Sequence, residues 1–409
     1  MKSASLYLFV ACPGGVEPWL AEEVARIAPK RHVEARRGGV AVKGDAEAAM
    51  LINLHSRLGQ RVLVELAHGP YRHEDDLYGL ARRVDWRDWI TPEQTLKVDV
   101  TAQRAPLNSL NFAALRVKDA ICDQLREQLG ARPSVDTRAP DLPVVLHLGP
   151  EFATLYVDTS GEPLFKRGWR EDKGDAPLKE TLAAAMLAAA GWDGSAASGA
   201  LLDPCCGSGT IAIEAAQIAC GIAAGGQRRF AFERQRPFQP LRQRWAELKQ
   251  AAKAAEHEPA VPIYASDVAF RMVDFARRNA ERAGVARHIQ FNGGDALERP
   301  APPLPEGLGG AIVMNPPYGE RIEVRGKAAA VRAVSGSEQR DAADDFFPRL
   351  AAHWKRAFTE QPWTAWMLCP DMKLPSKMRL KESRRVPMWN GPIECRLFRF
   401  DLVKGSARG

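Results

Sequence analysis

The spacing of apolar residues over positions 1–158 switches repeatedly between the two-residue period of strands and the three-to-four-residue spacing of amphipathic helices. The alternating stretches predict strands at 6–12, 61–66, 95–101, 144–148 and 152–158, and a hairpin over 32–42 that turns at Gly38-Gly39. The helical stretches predict helices at 16–28, 46–58, 75–83 and 111–129. This order predicts two small α+β units, at 1–65 and 66–158.

From residue 177 onward short strands alternate with helices, after a polar linker at 159–176 that contains several glycines. Strands are predicted at 200–203, 261–266, 288–292, 311–314 and 363–369. Helices are predicted from Pro177 to about 190 and over 210–223, 269–282 and 341–358. This alternation is typical of a doubly wound parallel sheet, and Asn390-Gly391 predicts a closing hairpin between 384–389 and 393–402. An α/β domain is therefore expected over 177–409.

Composition narrows the class of protein further. Of 409 residues, 45% are hydrophobic and 26% are charged, which is typical of a globular protein. No apolar run reaches the roughly 18 residues of a membrane span, and the short apolar stretch near the N-terminus is interpreted as a strand rather than a signal sequence. We therefore expect a cytoplasmic protein. The formal net charge of +7 favours nucleic acid as a partner, although a modest excess can also reflect a solvated surface.

The seven cysteines are spread along the chain, at positions 12, 122, 205, 206, 220, 369 and 395. No pair has the CxxC spacing, and the histidines form no zinc-binding pattern. We therefore expect reduced thiols and no metal site.

The segment Arg228–Glu258 interrupts the α/β pattern with eight basic residues, four acidic residues and four interleaved aromatic residues. The basic residues are Arg228, Arg229, Arg234, Arg236, Arg242, Arg244, Lys249 and Lys253, and the aromatic ones are Phe230, Phe232, Phe238 and Trp245. Arginines and aromatic rings together suit phosphate contacts and base stacking on RNA. The alternative is an amphipathic helical insertion whose aromatic residues pack inward.

A glycine-rich loop between a predicted strand and a predicted helix is the strongest local motif. Gly207, Gly209 and the small residue Ala212 satisfy G-x-G-x-x-G/A in the context that such loops require. Glycines let the backbone turn tightly and approach a ligand where a Cβ would clash, so a cofactor that contains a nucleoside is predicted. The candidate cofactor-binding residues of this loop are Asp203, Cys205, Gly207, Ser208, Gly209 and Thr210.

Acidic residues also stand at the ends of the next two predicted strands. Asp267 is placed to bind ribose hydroxyls, although it follows Asp203 by far more than the roughly 20 residues of a dinucleotide-binding fold. The basic insertion accounts for the excess. Asp295 follows the third strand and could bind an adenine edge, although a lone aspartate there would usually be a helix cap.

The sequence Asn315-Pro-Pro-Tyr318 ends the fourth predicted strand of the α/β domain. Two prolines fix φ and remove two backbone donors, so this turn is rigid and rich in carbonyl acceptors. The Asn315 oxygen and a proline carbonyl can accept hydrogens from one exocyclic amine, which turns its conjugated lone pair toward an electrophile, while Tyr318 can stack on a base. The candidate catalytic residues are Asn315, Pro316, Pro317 and Tyr318, with Asn315 also close to the cofactor.

Together these motifs resemble those of a known family. Asp203-Pro-Cys-Cys-Gly-Ser-Gly-Thr210 with Asn315-Pro-Pro-Tyr-Gly-Glu-Arg321 is similar to the class I S-adenosylmethionine-dependent methyltransferases that modify amino groups. Leu115-Arg-Val-Lys-Asp-Ala120, Arg132-Pro-Ser-Val-Asp136 and Ala176-Pro-Leu-Lys-Glu180 resemble the bacterial THUMP-domain RNA methyltransferases. Within them the chain is most similar to the 23S rRNA guanine-N2 enzymes that form the N-terminal half of a two-headed methyltransferase. The resemblance spans nearly the whole chain, from about Leu6 to Leu402.

The resemblance implies a ferredoxin-like subdomain at 1–65, a THUMP domain at 66–158, a linker at 159–176 and a Rossmann-like class I methyltransferase domain at 177–409. It implies S-adenosylmethionine as cofactor, with Gly207, Ser208 and Gly209 on its methionine portion, Asp267 on the ribose and Asp295 on the adenine amine. Large-subunit rRNA or a pre-ribosomal particle is the implied partner, with neither membrane nor metal. Cys205 replaces the usual methionine of the motif, and the second catalytic half has no counterpart in this sequence.

Other functions stay open from the sequence. A tRNA guanine-N2 methyltransferase is the closest alternative, because THUMP domains also serve tRNA modification. A nicotinamide-dependent oxidoreductase would leave Asn315-Pro-Pro-Tyr318 without a role, and an inactive ribosome-assembly factor would not need these motifs. A C5-pyrimidine methyltransferase would need a nucleophilic cysteine, for which Cys369 is the candidate.

Overall fold

The computed structural model describes residues 5–174, 177–317 and 336–402, with side chains in the last range from 345 onward. The chain divides into two compact units. The first comprises Met1–Pro13, Leu20–Leu164 and Ala224–Lys253, and the second comprises Gly14–Trp19, Phe165–Ala223 and Ala254–Gly409. Residues 224–253, which the sequence-based division places in the α/β domain, thus belong to the first unit. The domain boundaries themselves stay a prediction.

The first unit is built on one sheet of eight strands. Its strands are β1 (Leu6–Ala11), β2 (His32–Arg36), β3 (Gly39–Gly44), β4 (Arg61–Pro70), β5 (Thr95–Ala102), β6 (Ser134–Val135), β7 (Leu142–Leu148) and β8 (Phe152–Asp158). Its helices are α1 (Glu17–Ile27, from Leu20 onward), α2 (Ala46–His55), α3 (Glu74–Arg82) and α4 (Leu110–Leu129). The strand order is β2-β3-β1-β4-β8-β7-β5-β6, antiparallel except where β5 pairs with β6 and β7. Both predicted α+β regions therefore share a single sheet.

Strand β4 is longer than the stretch predicted at 61–66. It continues to Pro70 because it pairs along its length with β8, as far as Phe152, across an irregularity between Glu65 and Ala67. A bulge of this kind shifts which side chains face the core, and this interrupts the two-residue period on which the prediction rested.

The insertion folds into two short 3₁₀ turns and α7 (Arg242–Ala254). Its four aromatic side chains are buried and contact one another, with Trp245 edge-on to Phe230 and Phe232 at centroid distances of 5.8 and 5.0 Å. Rings packed in this way are not available to stack on a base. Of the two interpretations of the insertion, the inward-packed one holds for its aromatic residues.

The second unit contains a seven-stranded sheet in the order β11-β10-β9-β12-β13-β15-β14. The strands are β9 (Ala200–Asp203), β10 (Ile263–Asp267), β11 (Ile289–Gly293), β12 (Gly310–Met314), β13 (Trp363–Cys369), β14 (Arg384–Asn390) and β15 (Ile393–Leu402). The helices are α5 (Glu180–Ala190), α6 (Thr210–Ala219), α8 (Phe270–Arg282), α9 (Gly336–Ala357) and α10 (Leu374–Met378). Strands β9 to β13 are parallel, and the hairpin β14–β15 joins antiparallel to β13. The predicted Rossmann-like fold is confirmed.

Several helix ends differ from the sequence prediction. Helix α2 ends at His55 rather than 58, because Ser56 is extended (φ −66°, ψ 127°), and α9 begins at Gly336 rather than 341. Helix α5 begins at Glu180 rather than Pro177, because Lys179 is extended (φ −69°, ψ 140°) and the Leu178 carbonyl accepts a hydrogen bond from the Arg170 guanidinium at 3.2 Å. Helix α6 ends at Ala219 rather than 223, because Gly221 takes a φ of +66°, which ends a right-handed helix.

The described part of the chain contains no helix that is both long and apolar enough to cross a membrane. Its charged residues interrupt even the longer helices, such as α4.

Candidate functional site

Three neighbouring parallel strands of the second unit bring the predicted site residues to one edge of the sheet. Strand β9 lies between β10 and β12, and Asp203 is in register with Ala265, two residues before Asp267. Because the carboxyl ends of parallel strands meet at one edge, Asp203, Asp267 and Asn315 lie close together there. Such an edge is where open α/β sheets bind ligands.

The loop after β9 depends on its two glycines for different reasons. Gly209 has φ +90°, and a Cβ there would lie 2.9 Å from the Cβ of Ala276, so only glycine fits against α8. Gly207 has φ +52°, and a Cβ there would meet no atom within 4 Å, so its bare backbone faces open space. This is the surface that the loop offers to a ligand.

Asp267 ties the loop to β10. Its Oδ2 accepts a hydrogen bond from the Gly207 backbone N at 2.9 Å, and its Oδ1 accepts one from the Ala269 N at 2.9 Å. Burial raises the pKa of this carboxyl, and the two backbone donors partly offset the rise. Each oxygen has a further lone pair, so the carboxyl can accept hydrogen bonds from a ligand as well.

A cavity of about 530 Å³ opens beside this loop, which is within the range of small-molecule sites. It is lined by the predicted residues Asp203, Cys205, Gly207, Ser208, Thr210, Asp267, Asp295, Asn315 and Pro317. Leu178, Met272 and Phe346, which the sequence reasoning did not select, also line it. Their apolar character gives no functional signal in a sequence, because it equally suits the core.

Burial and neighbouring carboxylates determine the ionisation of the acidic groups and thiols that line this cavity. Burial raises the pKa of Asp203 well above its ordinary value, and its Oδ1 accepts only the Cys205 N, at 3.2 Å, among the hydrogen bonds of the described residues. Burial, followed by the charges of nearby aspartates, raises the thiol pKa of Cys205 and Cys206. Both thiols are therefore protonated and poor nucleophiles.

Asn315 has one unusual feature. Its Oδ1 is buried, yet no described residue donates a hydrogen bond to it. A buried acceptor without a partner costs free energy, so such an atom calls for an explanation such as a ligand. The residue lines the cavity, so a ligand amine there could satisfy this oxygen.

The remaining residues of the Asn-Pro-Pro-Tyr motif divide into two groups. Pro316 is buried and Pro317 lines the cavity. Tyr318 lies outside the described residues, as do Gly319–Arg321, so its predicted stacking role stays a prediction. Ala176, in the motif before α5, also lies outside the described residues.

The sequence reasoning missed a clamp formed by Arg170. Its guanidinium donates to the hydroxyls of Ser208 and Thr210 at 2.9 and 2.8 Å and pairs with the buried Glu180 at 2.7 Å. The side chain therefore fixes two cofactor-loop residues against the start of α5. Its position in a segment that has the composition of a linker gave no sequence signal.

Cys369 does not support the pyrimidine alternative. Its side chain is buried, and burial raises its thiol pKa to about 11. A nucleophilic cysteine needs the opposite environment, one that lowers the pKa. It also does not line the cavity.

Three family models match successive parts of the chain. A model described as RMKL-like, methyltransferase domain matches residues 167–399. A THUMP domain matches 71–158, and an RlmL ferredoxin-like domain matches 7–63. The order of these matches follows the order expected from the sequence motifs.

Individual relatives and solved structures agree with these models. The chain is 36% identical over 406 residues to ribosomal RNA large subunit methyltransferase K/L of Syntrophotalea carbinolica, covering 98% of this chain and 54% of that protein. It thus spans about half the length of the curated relatives it matches. A possible methylase from Clostridium difficile 630 is 26% identical, with a TM-score of 0.84 and coverage of 99% and 100%. A putative methyltransferase complexed with SAH is 24% identical, with a TM-score of 0.81 and coverage of 98% of each chain, and shows the fold alone.

Proposed function

The chain belongs to the RMKL-like methyltransferase family, and from this we propose that it transfers a methyl group from S-adenosylmethionine to the exocyclic N2 of a guanine in RNA, with 23S rRNA as the acceptor. The observation that carries the proposal is the buried Asn315 Oδ1, which has no hydrogen-bond donor among the described residues and lies on the cavity wall. An exocyclic amine supplies the missing donor. The relative's name, which refers to large-subunit rRNA, supports the choice of acceptor.

The residues of the cavity fit the cofactor. The open side of Gly207 leaves room for its methionine portion, with Ser208 beside it on the cavity wall. Gly209, also predicted from the sequence to bind the cofactor, does not line the cavity and packs against Ala276 of α8. Asp267 is half-buried with lone pairs to spare and would accept the ribose hydroxyls, and Asp295 would accept the adenine amine. Asp203 and Cys205 line the loop side of the same cavity. When bound, the cofactor supplies an electrophilic methyl group. Its demethylated product, S-adenosylhomocysteine (SAH), is bound in the solved structure of a similar fold.

In the proposed mechanism Asn315 orients the target amine. Its Oδ1 accepts one N–H and the Pro316 carbonyl accepts the other, so the nitrogen lone pair turns toward the methyl group. Pro317 keeps the turn rigid, and Tyr318 would stack on the base. A base can reach this cavity only when it leaves its helical stack, which costs a few kcal/mol and less in a loop. Preorganised acceptors of this kind need no rearrangement during the reaction.

The proposal assigns RNA capture to the first unit. The THUMP match at 71–158, which lies within this unit, supports this assignment. The net charge of +7 of the whole chain is compatible with an RNA substrate. The domain division proposed with it is ferredoxin-like 1–65, THUMP 66–158, linker 159–176 and methyltransferase 177–409. A cytoplasmic location follows from an rRNA substrate.

The proposal is tested by identifying the product. The purified chain is incubated with S-adenosylmethionine in two separate reactions, one with protein-free large-subunit rRNA and one with tRNA. Both RNAs are prepared from cells that lack this activity. Nucleoside mass spectrometry should find N2-methylguanosine in the rRNA. The matched control is the same reaction with Asn315→Ala.

Two outcomes would contradict parts of this function. N6-methyladenosine or 5-methylcytidine as the product would mean that the amine or the base has been assigned incorrectly. Preferential methylation of tRNA would keep the chemistry and replace the acceptor.

A further inference from the structure

The first unit contains a second cavity, of about 480 Å³, that the proposed chemistry does not use. Three segments build its wall: the loop 137–140, the chain at 160–162 just after β8, and residues 229–234 of the insertion. All of them belong to the first unit. We name this cavity the arginine cleft.

Positive charge predominates in the arginine cleft. Its wall carries five cationic side chains, which are Arg61, Lys97, Arg138, Arg229 and Arg234. It carries three carboxylates, which are Asp99, Glu162 and Glu233. A concave surface with an excess of one sign of charge concentrates ligands of the opposite sign.

Three of the five cations are engaged within the protein. Arg61 pairs with the buried Asp158, and Lys97 pairs with Asp99 at 2.8 Å. Arg234 pairs with Asp141 at 3.3 Å and donates to the Pro140 carbonyl at 2.9 Å. Because each of these three cations is paired with a carboxylate, its charge is largely compensated. The pairs also connect the segments that form the walls of the cleft.

Arg138 and Arg229 differ from the other three. Both are exposed, and neither side chain has an ion pair or a hydrogen bond with any described residue. Their guanidinium groups therefore keep all five N–H donors for an external acceptor. The neighbouring Arg228, by contrast, donates to the backbone carbonyls of Glu162 and Pro163. The Asp136 carboxyl lies near Arg138: its pKa is lowered chiefly by its backbone hydrogen bonds and in part by the Arg138 charge.

The backbone that carries these two arginines is held in place. The Asp136 Oδ1 accepts hydrogen bonds from the Arg138 and Ala139 backbone N at 2.8 and 3.1 Å. On the other wall the Phe232 N donates to the Thr159 carbonyl at 3.0 Å. Both guanidinium groups thus project from fixed segments, which lowers the entropy lost on binding.

We propose that the arginine cleft binds the phosphodiester backbone of RNA, with the guanidinium groups of Arg138 and Arg229 on the phosphates. A planar guanidinium matches a phosphate with two parallel hydrogen bonds. The aromatic side chains of the insertion are buried, so they offer no stacking surface for bases. Phosphate contacts position RNA without reading its sequence. The inference rests on the proposed function for its ligand, since the substrate there is RNA.

The test compares two double variants of the full chain. Arg138→Ala/Arg229→Ala removes the two free cations of the cleft. Arg37→Ala/Arg104→Ala removes the same charge from exposed positions of the first unit outside the cleft, whose side chains also have no ion pair or hydrogen bond with a described residue. Binding of a fluorescein-labelled single-stranded RNA is followed by anisotropy over a range of salt concentrations, without cofactor. Thermal unfolding verifies that each variant is folded.

The cleft variant should bind RNA on the order of tenfold more weakly, and the slope of log affinity against log salt should become shallower by about 1.4, roughly 0.7 per lost phosphate contact. The control variant should stay close to the wild type. Equal losses in both variants would overturn the proposal, since they would show a general charge effect. So would unchanged RNA affinity in a folded cleft variant.

Competition separates the possible sources of the anion. Inorganic phosphate at millimolar concentration should displace the RNA only weakly, because RNA engages two phosphates at once. Displacement by phosphate alone would indicate a small-anion site, and preferential displacement by polyglutamate would indicate an acidic protein partner. Either result contradicts the RNA assignment. The product test is independent: N2-methylguanosine from a cleft variant with unchanged RNA affinity would defeat this inference and leave the proposed function intact.

Discussion

The cavity beside the glycine loop and the arginine cleft have similar volumes, about 530 and 480 Å³, and opposite chemistry. The cavity of the second unit is lined by carboxyl groups whose burial raises their pKa, together with an amide oxygen that no described residue hydrogen-bonds. The arginine cleft of the first unit presents exposed guanidinium groups. Buried groups act at short range through hydrogen bonds, whereas exposed charges act at longer range and are screened by salt.

This difference suggests a division of labour. A preorganised, partly buried cavity suits a reaction that needs a target amine held at a fixed angle. An exposed cationic cleft suits capture of a polyanion, which needs charge more than geometry. This division can be tested by substituting a residue in one cavity and measuring the effect on binding, catalysis or stability. The control is a comparable substitution in the other cavity or at a matched site of the other unit.

The largest effect is expected from Asn315→Ala. Loss of one preorganised acceptor for the reacting amine should lower the methylation rate by about 10²–10³-fold. Cofactor affinity, measured by calorimetry, should change little. The control Arg138→Ala/Arg229→Ala should instead raise the KM for RNA while kcat stays near that of the wild type. Full activity in Asn315→Ala would falsify the proposed mechanism.

The next effect is expected from Asp267→Asn. Loss of a charged acceptor for the ribose hydroxyls should weaken S-adenosylmethionine binding by about 1.5–3 kcal/mol. Asp99→Asn makes the same chemical change in the arginine cleft, where the aspartate pairs with Lys97, and should leave cofactor affinity unchanged. Calorimetry on both variants measures the difference. Equal S-adenosylmethionine affinities in the two variants would show that Asp267 does not bind the cofactor.

Glycine substitutions should affect stability by smaller amounts. In Gly209→Ala a Cβ at φ +90° would lie 2.9 Å from the Ala276 Cβ and 3.1 Å from its Cα. Gly161→Ala, beside the arginine cleft, has φ +77° and a nearest contact of 3.2 Å, to the Ala231 Cβ. Both variants should lose stability by about 1–3 kcal/mol, with Gly209→Ala near the upper value and Gly161→Ala near the lower. Denaturant unfolding compares them, and the reverse order would contradict the packing described for α8.

The smallest effect concerns pH. Burial raises the pKa of Asp203 in the folded chain, so its protonated form is favoured there. The protonated Asp203 carboxyl therefore contributes to the free energy of unfolding. This contribution is fully present below the ordinary aspartate pKa and is lost as pH rises through the raised pKa of the folded chain. Asp203→Asn should flatten this decline in urea unfolding measured against pH. An unchanged pH profile would mean that the carboxyl is better solvated than its burial implies.

Sequence and structure agree best where the determining contacts are local. The alternation of strands and helices from 200 onward predicted the parallel sheet, because β9 to β13 are short apolar strands and helices follow β9, β10 and β13 along the chain. The glycine loop was also predictable, since a positive φ at Gly207 and Gly209 restricts the residue type at each position. In the same way, the two prolines after Asn315 fix their own backbone.

The sequence by itself thus determined most of the secondary-structure order and the glycine loop, both of which depend on residues a few positions apart. Only the tertiary structure decided that 224–253 pack with the first unit and that Arg170 clamps Ser208 and Thr210. It also decided that the Asn315 oxygen receives no hydrogen bond from the described residues. Arg228 donates to carbonyls 65 and 66 residues earlier, whereas the Arg229 side chain has no hydrogen bond or ion pair with a described residue. Each of these depends on contacts between distant segments, and hydrophobic periodicity contains no information about which distant segment a side chain meets.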